Sequence, residues 1–379
     1  MSERVDPAAT PIAVVLGGPS AEHDVSLVSG RAIAAALAGR GFPVEAWLVA
    51  LDGDWWCLPE AARDPSLPQT AYDDPAALGA DGPMSPLAAL DRLAARQRAP
   101  LLFLALHGPF GEDGQLQALC ETAGLAYTGP GIAASALGMD KSLFKRFMSA
   151  LEMPVVPWRP VSLAAWRGDR AAAAAAIRDF AASLPDPRLI AKPARLGSSV
   201  GMTVIHRPDD DAVLGAALEE AFRFDDLALV EAYLAGAREL EVSVVGNEPS
   251  DLQAFGPGEI FPGREFYDYV AKYSEGVSRT TDRPELGEAT RRTVQDLAKA
   301  AYAAIGAEGL SRVDFLMKDG RIYLSEINTM PGFTPISLFP VLCAGGGYDF
   351  GGICVRIVEL AVERAARRPQ RRLTRADLP

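Results

Sequence analysis

The chain has 379 residues, 49% of them hydrophobic and 23% charged, with a net charge of −12 and a pI near 4.9; that length predicts two or three domains, each able to bury a core. The acidic balance argues against nucleic acid or an anionic membrane as the main partner, because both demand basic stripes, yet it leaves room for a local basic pocket around a small anion. Four cysteines without CxxC spacing and three histidines exclude a zinc or disulfide framework and predict a reducing, cytoplasmic setting. No run approaches the roughly 18 apolar residues of a membrane helix.

The stretch "PIAVVLGGPSAEHDVSLVSGRAIAAALAGRG" predicts a buried strand, a glycine turn and an amphipathic helix closed by glycine. A strand over 44–51 follows, then a Pro- and Asp-rich stretch to about residue 86 that predicts irregular surface. "APLLFLALHGPFGEDGQLQALCETAGLAYTG" repeats strand, loop and helix. The alternation predicts a parallel sheet with ligands at the strand C-termini, in a first domain over 1–137.

"ALGMDKSLFKRFMSALEMP" predicts a new helix with Leu143, Phe144, Phe147, Met148 and Leu151 as its apolar residues, and "DRAAAAAAIRDFAASLP" a plain helix of high propensity. The strand "RLIAKPA", the loop "RLGSSVGM", another strand, a helix near 209–222 and the strand "ALVEAYL" complete a small α+β unit over 138–228. From 229 to 379 the chain predicts mostly strands, a helix at 285–305, a strand pair around "KDG" and a last helix near 350–366. No internal repeat is evident.

Small residues in "RLGSSVGM" let backbone amides approach an anion, although a tight hairpin would read the same way. Lys192 shifts the balance, since it ends an apolar strand where an unpaired ammonium is costly unless an anion faces it. Lys141 follows Asp140 at a helix start, the positive end of the macrodipole, where a lysine is locally disfavoured. Lys141 alone fits a solvated surface; the two lysines together, beside a small-residue loop, fit the triphosphate of ATP. In "ALVEAYLAGARELEVSVVG" the strand leading into "EAYL" can offer backbone groups to adenine. Glu231 and Glu239 are placed to accept from the exocyclic amine side and the ribose hydroxyls, where ordinary surface acids would look alike.

"SRVDFLMKDGRIYLSEINTMPG" predicts a hairpin about "KDG". A two-residue Asp319–Gly320 turn would set Asp314 opposite Ser325, on the other face from Glu326. A three-residue loop, Lys318–Asp319–Gly320, instead pairs Met317 with Arg321, and then Arg312, Asp314, Glu326 and Asn328 point one way. That face offers three hard oxygen ligands suited to Mg²⁺, with Arg312 able to balance a developing oxyanion. A solvated strand face explains the pattern less well.

Together these residues resemble the ATP-grasp superfamily and, within it, the D-alanine–D-alanine ligase family, over nearly the whole chain from Ile12 to the last helix. The matching motifs are "GGPSAEHDVSL", "LHGPFGEDG", "YTGPGIAASALGMDK", "AKPARLGSSVGM", "RELEVSVVGNE", "YDYVAKY", "SRVDF" and "EINTMPGFTPIS", with Asp24 standing where the family more often has Glu. The resemblance implies an α/β and α+β fold: an N-terminal parallel-sheet, substrate-binding domain, then an ATP-grasp fold of a central and a C-terminal catalytic subdomain. It implies that Lys141 and Lys192 hold the ATP phosphates under "GSSVG" with Ser199, and that Lys272 lies beside the phosphate. Glu231, the backbone of Ala232, Tyr233 and Leu234, and Glu239 would hold adenosine. Asp314, Glu326 and Asn328 would bind two Mg²⁺, with Mn²⁺ as a substitute. Glu22 would pair with the first D-alanine ammonium, with His107 nearby. Arg312 and the Gly332 amide would form the oxyanion site, and Ser337 would hold the second carboxylate. Ser198 and Tyr273 would link with Glu22 into a hydrogen-bonded lid.

The activity implied is ATP-dependent joining of two D-alanines through an acyl phosphate, for peptidoglycan, by a cytoplasmic homodimer with no nucleic-acid or membrane partner. Ligases that make D-alanyl-D-lactate or D-alanyl-D-serine are the close alternatives, and another ATP-grasp carboxylate–amine ligase is a wider one. A dinucleotide-binding dehydrogenase fails on pattern, since "GGPSAEH" is not GxGxxG.

Overall fold

The computed structural model describes residues 5–261 and 279–367. Its first part contains β1 (Ile12–Gly17), α1 (His23–Ala38), β2 (Val44–Val49), β3 (Trp55–Leu58), β4 (Asp81–Met84), α2 (Pro86–Ala94), β5 (Leu101–Leu104), α3 (Gln115–Thr122) and α4 (Ile132–Met139). β1 is buried at every residue, as a parallel strand covered on both faces must be. The sheet order is β4-β3-β2-β1-β5, with β1 parallel to β2 and β5 but β3 and β4 antiparallel. The stretch expected to be irregular up to residue 86 thus supplies two further strands, with β4 at the edge, and the sheet is mixed. Both are short and lie among Pro and Gly, and pairing, of β3 with β2 and of β4 with β3, makes them strands.

The middle part contains α5 (Lys141–Ala150), β6 (Trp158–Ser162), α6 (Leu163–Gly168), α7 (Arg170–Ala182), β7 (Leu189–Pro193), β8 (Thr203–Ile205), α8 (Asp211–Ala221) and β9 (Leu227–Ala232). Its antiparallel sheet, β6-β9-β7-β8, is covered on one face by α7 and α8. The last part contains β10 (Arg238–Gly246), β11 (Gln253–Phe261), β12 (Arg279–Thr281), α9 (Glu288–Ala304), β13 (Gly309–Lys318), β14 (Arg321–Asn328), α10 (Leu338–Gly345) and α11 (Phe350–Arg367). Its antiparallel sheet runs β12-β11-β10-β13-β14, and α4, α5 and α9 contribute to its core. On α5 only Phe144 and Met148 of the five expected apolar residues are buried; Leu143, Phe147 and Leu151 face outward.

The ends of the chain share one core. Ile353, Ile357, Val358 and Leu360 of α11 pack with Leu27, Ile33 and Leu37 of α1. Each such fully buried side chain contributes about 1.5–3 kcal/mol. The buried Arg364 then donates to the carbonyls of Gly129 and Tyr127 and lies 4.3 Å over the Tyr127 ring. Among the described residues no single helix is long and apolar enough to cross a membrane.

Candidate active site

Strand alternation aims Lys192 and Glu231. Leu189 and Ala191 of β7 enter the core under α7 and α8, so Ile190 and Lys192 face the other way. Lys192 pairs across from Leu229, and Ile190 from Glu231, which makes Lys192 and Glu231 diagonal neighbours on one face. Lys192 Nζ lies 2.9 Å from Glu231 Oε2, and Lys145 Nζ of α5 lies 2.9 Å from Glu231 Oε1. Burial opposes the charge on Lys192, but Glu231 and Glu326 outweigh it and hold its pKa above the ordinary lysine value. At Lys145 burial prevails over Glu231, and its pKa lies below that value. Lys141 opens α5, donates to the Leu196 carbonyl at 2.9 Å and stands 3.3 Å from Glu326. The Asp140 carboxylate accepts from the Leu143 amide at 2.9 Å, so it supplies the negative cap that a lysine at this helix end lacks.

The loop after β7 holds Ser198, Ser199 and Gly201 at φ 52°, 56° and 71°. Left-handed backbone at two serines costs of order 1–3 kcal/mol each and is a feature of functional loops. Its first result is a bond across the molecule: Ser198 Oγ donates to Glu22 Oε1 at 2.5 Å. Glu22 follows β1 and His107 follows β5, adjacent parallel strands whose connections leave in opposite directions. That is the crevice where open α/β sheets bind ligands. A Cβ on Gly108 would come within 2.8 Å of Glu22 Oε2, and one on Gly197 within 3.1 Å, so both loops need glycine to approach this carboxylate. His107 Nδ1 faces the Met330 carbonyl at 3.0 Å and Nε2 faces Ser29 Oγ at 3.1 Å. A carbonyl only accepts, so Nδ1 carries the proton and Nε2 accepts from Ser29. Burial lowers the His107 pKa and keeps the ring neutral.

Glu112, from "GEDG", is a carboxylate the sequence reading missed. It accepts from the Gly108 amide at 2.7 Å and the Met330 amide at 3.0 Å, tying the loop after β5 to the loop after β14. Burial and then Glu22 push its pKa from 4.5 up to about 8, against the two amide bonds. Between those values the folded chain keeps a proton that the unfolded chain releases. This share of stability is therefore complete below about pH 4.5 and lost as the pH rises to about 8. Glu112→Gln, which cannot ionise, should show a smaller fall in Tm between pH 5 and 8.5 than the unmodified chain, even though its amide sacrifices one accepted bond. An equal or steeper fall would disprove this role.

The hairpin closes on a two-residue turn, Asp319–Gly320, with φ 50° and 76° and Lys318 paired to Arg321. The three-residue loop expected from the sequence is absent. A bulge restores the shared face instead: Phe315 pairs with Leu324, the next pair is Asp314 with Glu326, and Ser325 is the extra residue. Arg312 Nε and Nη2 grip Asp314 at 2.7 and 2.8 Å, and Asn328 Nδ2 donates to Asp314 Oδ2 at 2.9 Å. Val313, Phe315, Leu324 and Ile327 fill the core behind them. Glu241 of β10, also missed from the sequence, lies 3.2 Å from Arg312. Burial works against the Arg312 charge, but Asp314 and Glu241 keep the guanidinium firmly protonated. Asp314, Glu326 and the Asn328 amide present hard oxygens on one face, the donor chemistry of a magnesium ion that draws further ligands from phosphate and water. Among the described residues no cluster of three or more His, Cys, Asp and Glu encloses an ion on its own.

Lys141, Lys192, Ser198, Glu231, Glu241, Arg312, Asp314 and Glu326 line one cleft of about 400 Å³, together with Ser199, Ala232, Tyr233, Leu234, Glu239 and the apolar Ile190, Val200, Met202 and Leu316. Two of the three backbone amides expected to meet adenine are already bonded: Ala232 to the Pro157 carbonyl at 2.9 Å and Tyr233 to the Arg188 carbonyl at 3.0 Å. Gly332 and Ser337 stand together after β14, where a Cβ on Gly332 would lie 3.5 Å from Ser337 Oγ. Ser337 Oγ accepts from the Thr334 amide at 3.0 Å and forms the N-cap position of α10. Lys272, Tyr273 and the rest of "YDYVAKY" lie outside the described residues.

A family model described as the D-ala D-ala ligase N-terminus matches residues 11–130, and one described as the D-ala D-ala ligase C-terminus matches 147–359. The chain is 38% identical over 357 residues to the D-alanine–D-alanine ligase of Heliobacterium modesticaldum, covering 93% of this chain and 94% of that protein. Among solved structures it is similar to the D-alanine-D-alanine ligase from Coxiella burnetii, with a TM-score of 0.78, 27% identity and 95% of each chain covered. It is also similar to the VanG D-Ala:D-Ser ligase from Enterococcus faecalis, with a TM-score of 0.76, 28% identity, and 93% of this chain and 99% of that one covered. With both halves matched and the cationic cleft, the bulged acidic hairpin and the Glu22–Ser198 link in place, the chain belongs to the D-alanine–D-alanine ligase family.

Proposed function

We propose that this protein joins two D-alanines at the expense of ATP, and the observation that carries the proposal is the Ser198–Glu22 bond, which closes a phosphate-type loop onto a carboxylate in the crevice of the first sheet. Three units contribute, taken as 1–137, 138–228 and 229–379. Lys141 and Lys192 hold the ATP phosphates; the Leu234 segment and Glu239 take the adenosine, with Ser199 over the phosphates. By family likeness, Tyr273 would complete the lid with Ser198 and Glu22, and Lys272 would lie beside the phosphate. Asp314, Glu326 and Asn328 would hold two magnesium ions, or manganese, which would spread the charge of the transferring phosphoryl group. Glu22 receives the first D-alanine ammonium beside the neutral His107.

The first D-alanine carboxylate attacks the γ-phosphate, ADP leaves, and the acyl phosphate that forms is one that water would destroy. The loop over 197–201, bonded to Glu22, excludes that water. The amine of the second D-alanine attacks the acyl carbon, Arg312 and the Gly332 amide stabilise the oxyanion, and phosphate leaves. Ser337, at the positive end of α10, holds the second carboxylate. The dipeptide serves peptidoglycan, made by a cytoplasmic homodimer. A D-lactate or D-serine acceptor is the less favoured reading.

Phosphate release from ATP should be strong with D-alanine and near background with L-alanine or D-lactate alone. With D-alanine and D-lactate in competition at pH 7.5, the product should be mainly D-alanyl-D-alanine. Mainly depsipeptide, or equal release with L-alanine, would overturn the proposal.

A further inference from the structure

Lys145 is a buried cation to which the proposed reaction gives no task. It is fully buried, and it is not among the residues that border the cleft, whereas Lys141 and Lys192 are. A buried ammonium is costly unless paired, and the partner here is Glu231. Glu231 divides its oxygens between Lys145 and Lys192, each at 2.9 Å, and the two lysines keep its carboxyl ionised against burial. The trio therefore carries one net positive charge. With Glu231 facing Lys192 alone, that pair would be neutral where a triphosphate needs a cation. Lys141 differs, because its partner Glu326 lies on the metal-binding face and can turn to a metal ion.

We propose that Lys145 is a positioning residue, a fixed counter-ion for Glu231 that leaves the charge of Lys192 to the nucleotide phosphates. The proposal rests on reading the cleft as a nucleotide site, and direct titration with ADP and magnesium tests it without turnover. Lys145→Met should weaken ADP about tenfold, since one unit of charge near the phosphates is lost. It should raise KM for ATP similarly, with kcat and KM for D-alanine changed by less than about threefold. In a Glu231→Gln background the same Lys145→Met change should move ADP affinity by less than about threefold, because the carboxylate that Lys145 offsets is gone. That background also carries the test if the single variant does not fold. Unchanged ADP affinity in Lys145→Met, or a tenfold loss that persists with Glu231→Gln, would overturn the inference, as would failure of the unmodified chain to bind ADP. An unmodified chain that binds ADP but ignores D-alanine would count against the ligase reading alone.

Discussion

Lys192→Met should lower kcat/KM for ATP by about a thousandfold while the chain stays folded. The side chain ends an apolar strand and borders the cleft, so methionine keeps most of its stem and its contacts while removing the charge. Glu231 is not orphaned by the change, because Lys145 remains 2.9 Å from its other oxygen. That makes this lysine unusually safe to remove, since a buried carboxylate stripped of its only partner would cost about 3–5 kcal/mol. Phosphate release at saturating D-alanine measures the loss, and a thermal melt measures the fold. A folded variant with near-normal turnover would remove Lys192 from the phosphate site.

Arg312→Met should reduce dipeptide formation by about 10²–10³-fold, the usual effect of losing one oxyanion donor. Here the fold also suffers, because Arg312 serves Asp314 at 2.7 Å and Glu241 at 3.2 Å, and both carboxylates would be left facing each other. A loss of about 3–5 kcal/mol is expected, so rates should be compared well below the lowered Tm. The ratio of products separates the two effects. Arg312 acts on the second step, so phosphate should still be released by hydrolysis of the acyl phosphate while dipeptide fails to appear. Phosphate and dipeptide falling together in equal measure would place Arg312 in the first step instead, and unchanged dipeptide output would remove it from catalysis.

Much of this site was written in short stretches of sequence. The buried run of β1, the glycine turn before α1, the lysine at the end of β7 and the small-residue loop after it each follow from residue order inside one element. The shared face of Arg312, Asp314, Glu326 and Asn328 was legible too, but for the wrong reason. Strand parity requires an odd residue somewhere; the sequence places it in the turn, and the structure places it at Ser325. A bulge has no local signature, because it is decided by which pairing lets Leu324 and Ile327 reach the core while Glu326 stays opposite Asp314.

The sequence by itself determined the elements that are periodic and the chemistry at their ends: two lysines, a glycine–serine loop, and an acid–amide pair on a strand. Only the tertiary structure decided what those groups meet. β3 exists because β2 offers it an edge, and β4 because β3 does. Lys145 looks like any lysine on a helix until α5 packs against β14 and sets it against Glu231. Glu112 becomes a clamp only when the loop after β14 brings Met330 to it. The physical reason is the same in each case: periodicity is a property of neighbours along the chain, whereas the charge state and pairing of a buried group depend on partners that only the folded chain brings within a few ångströms.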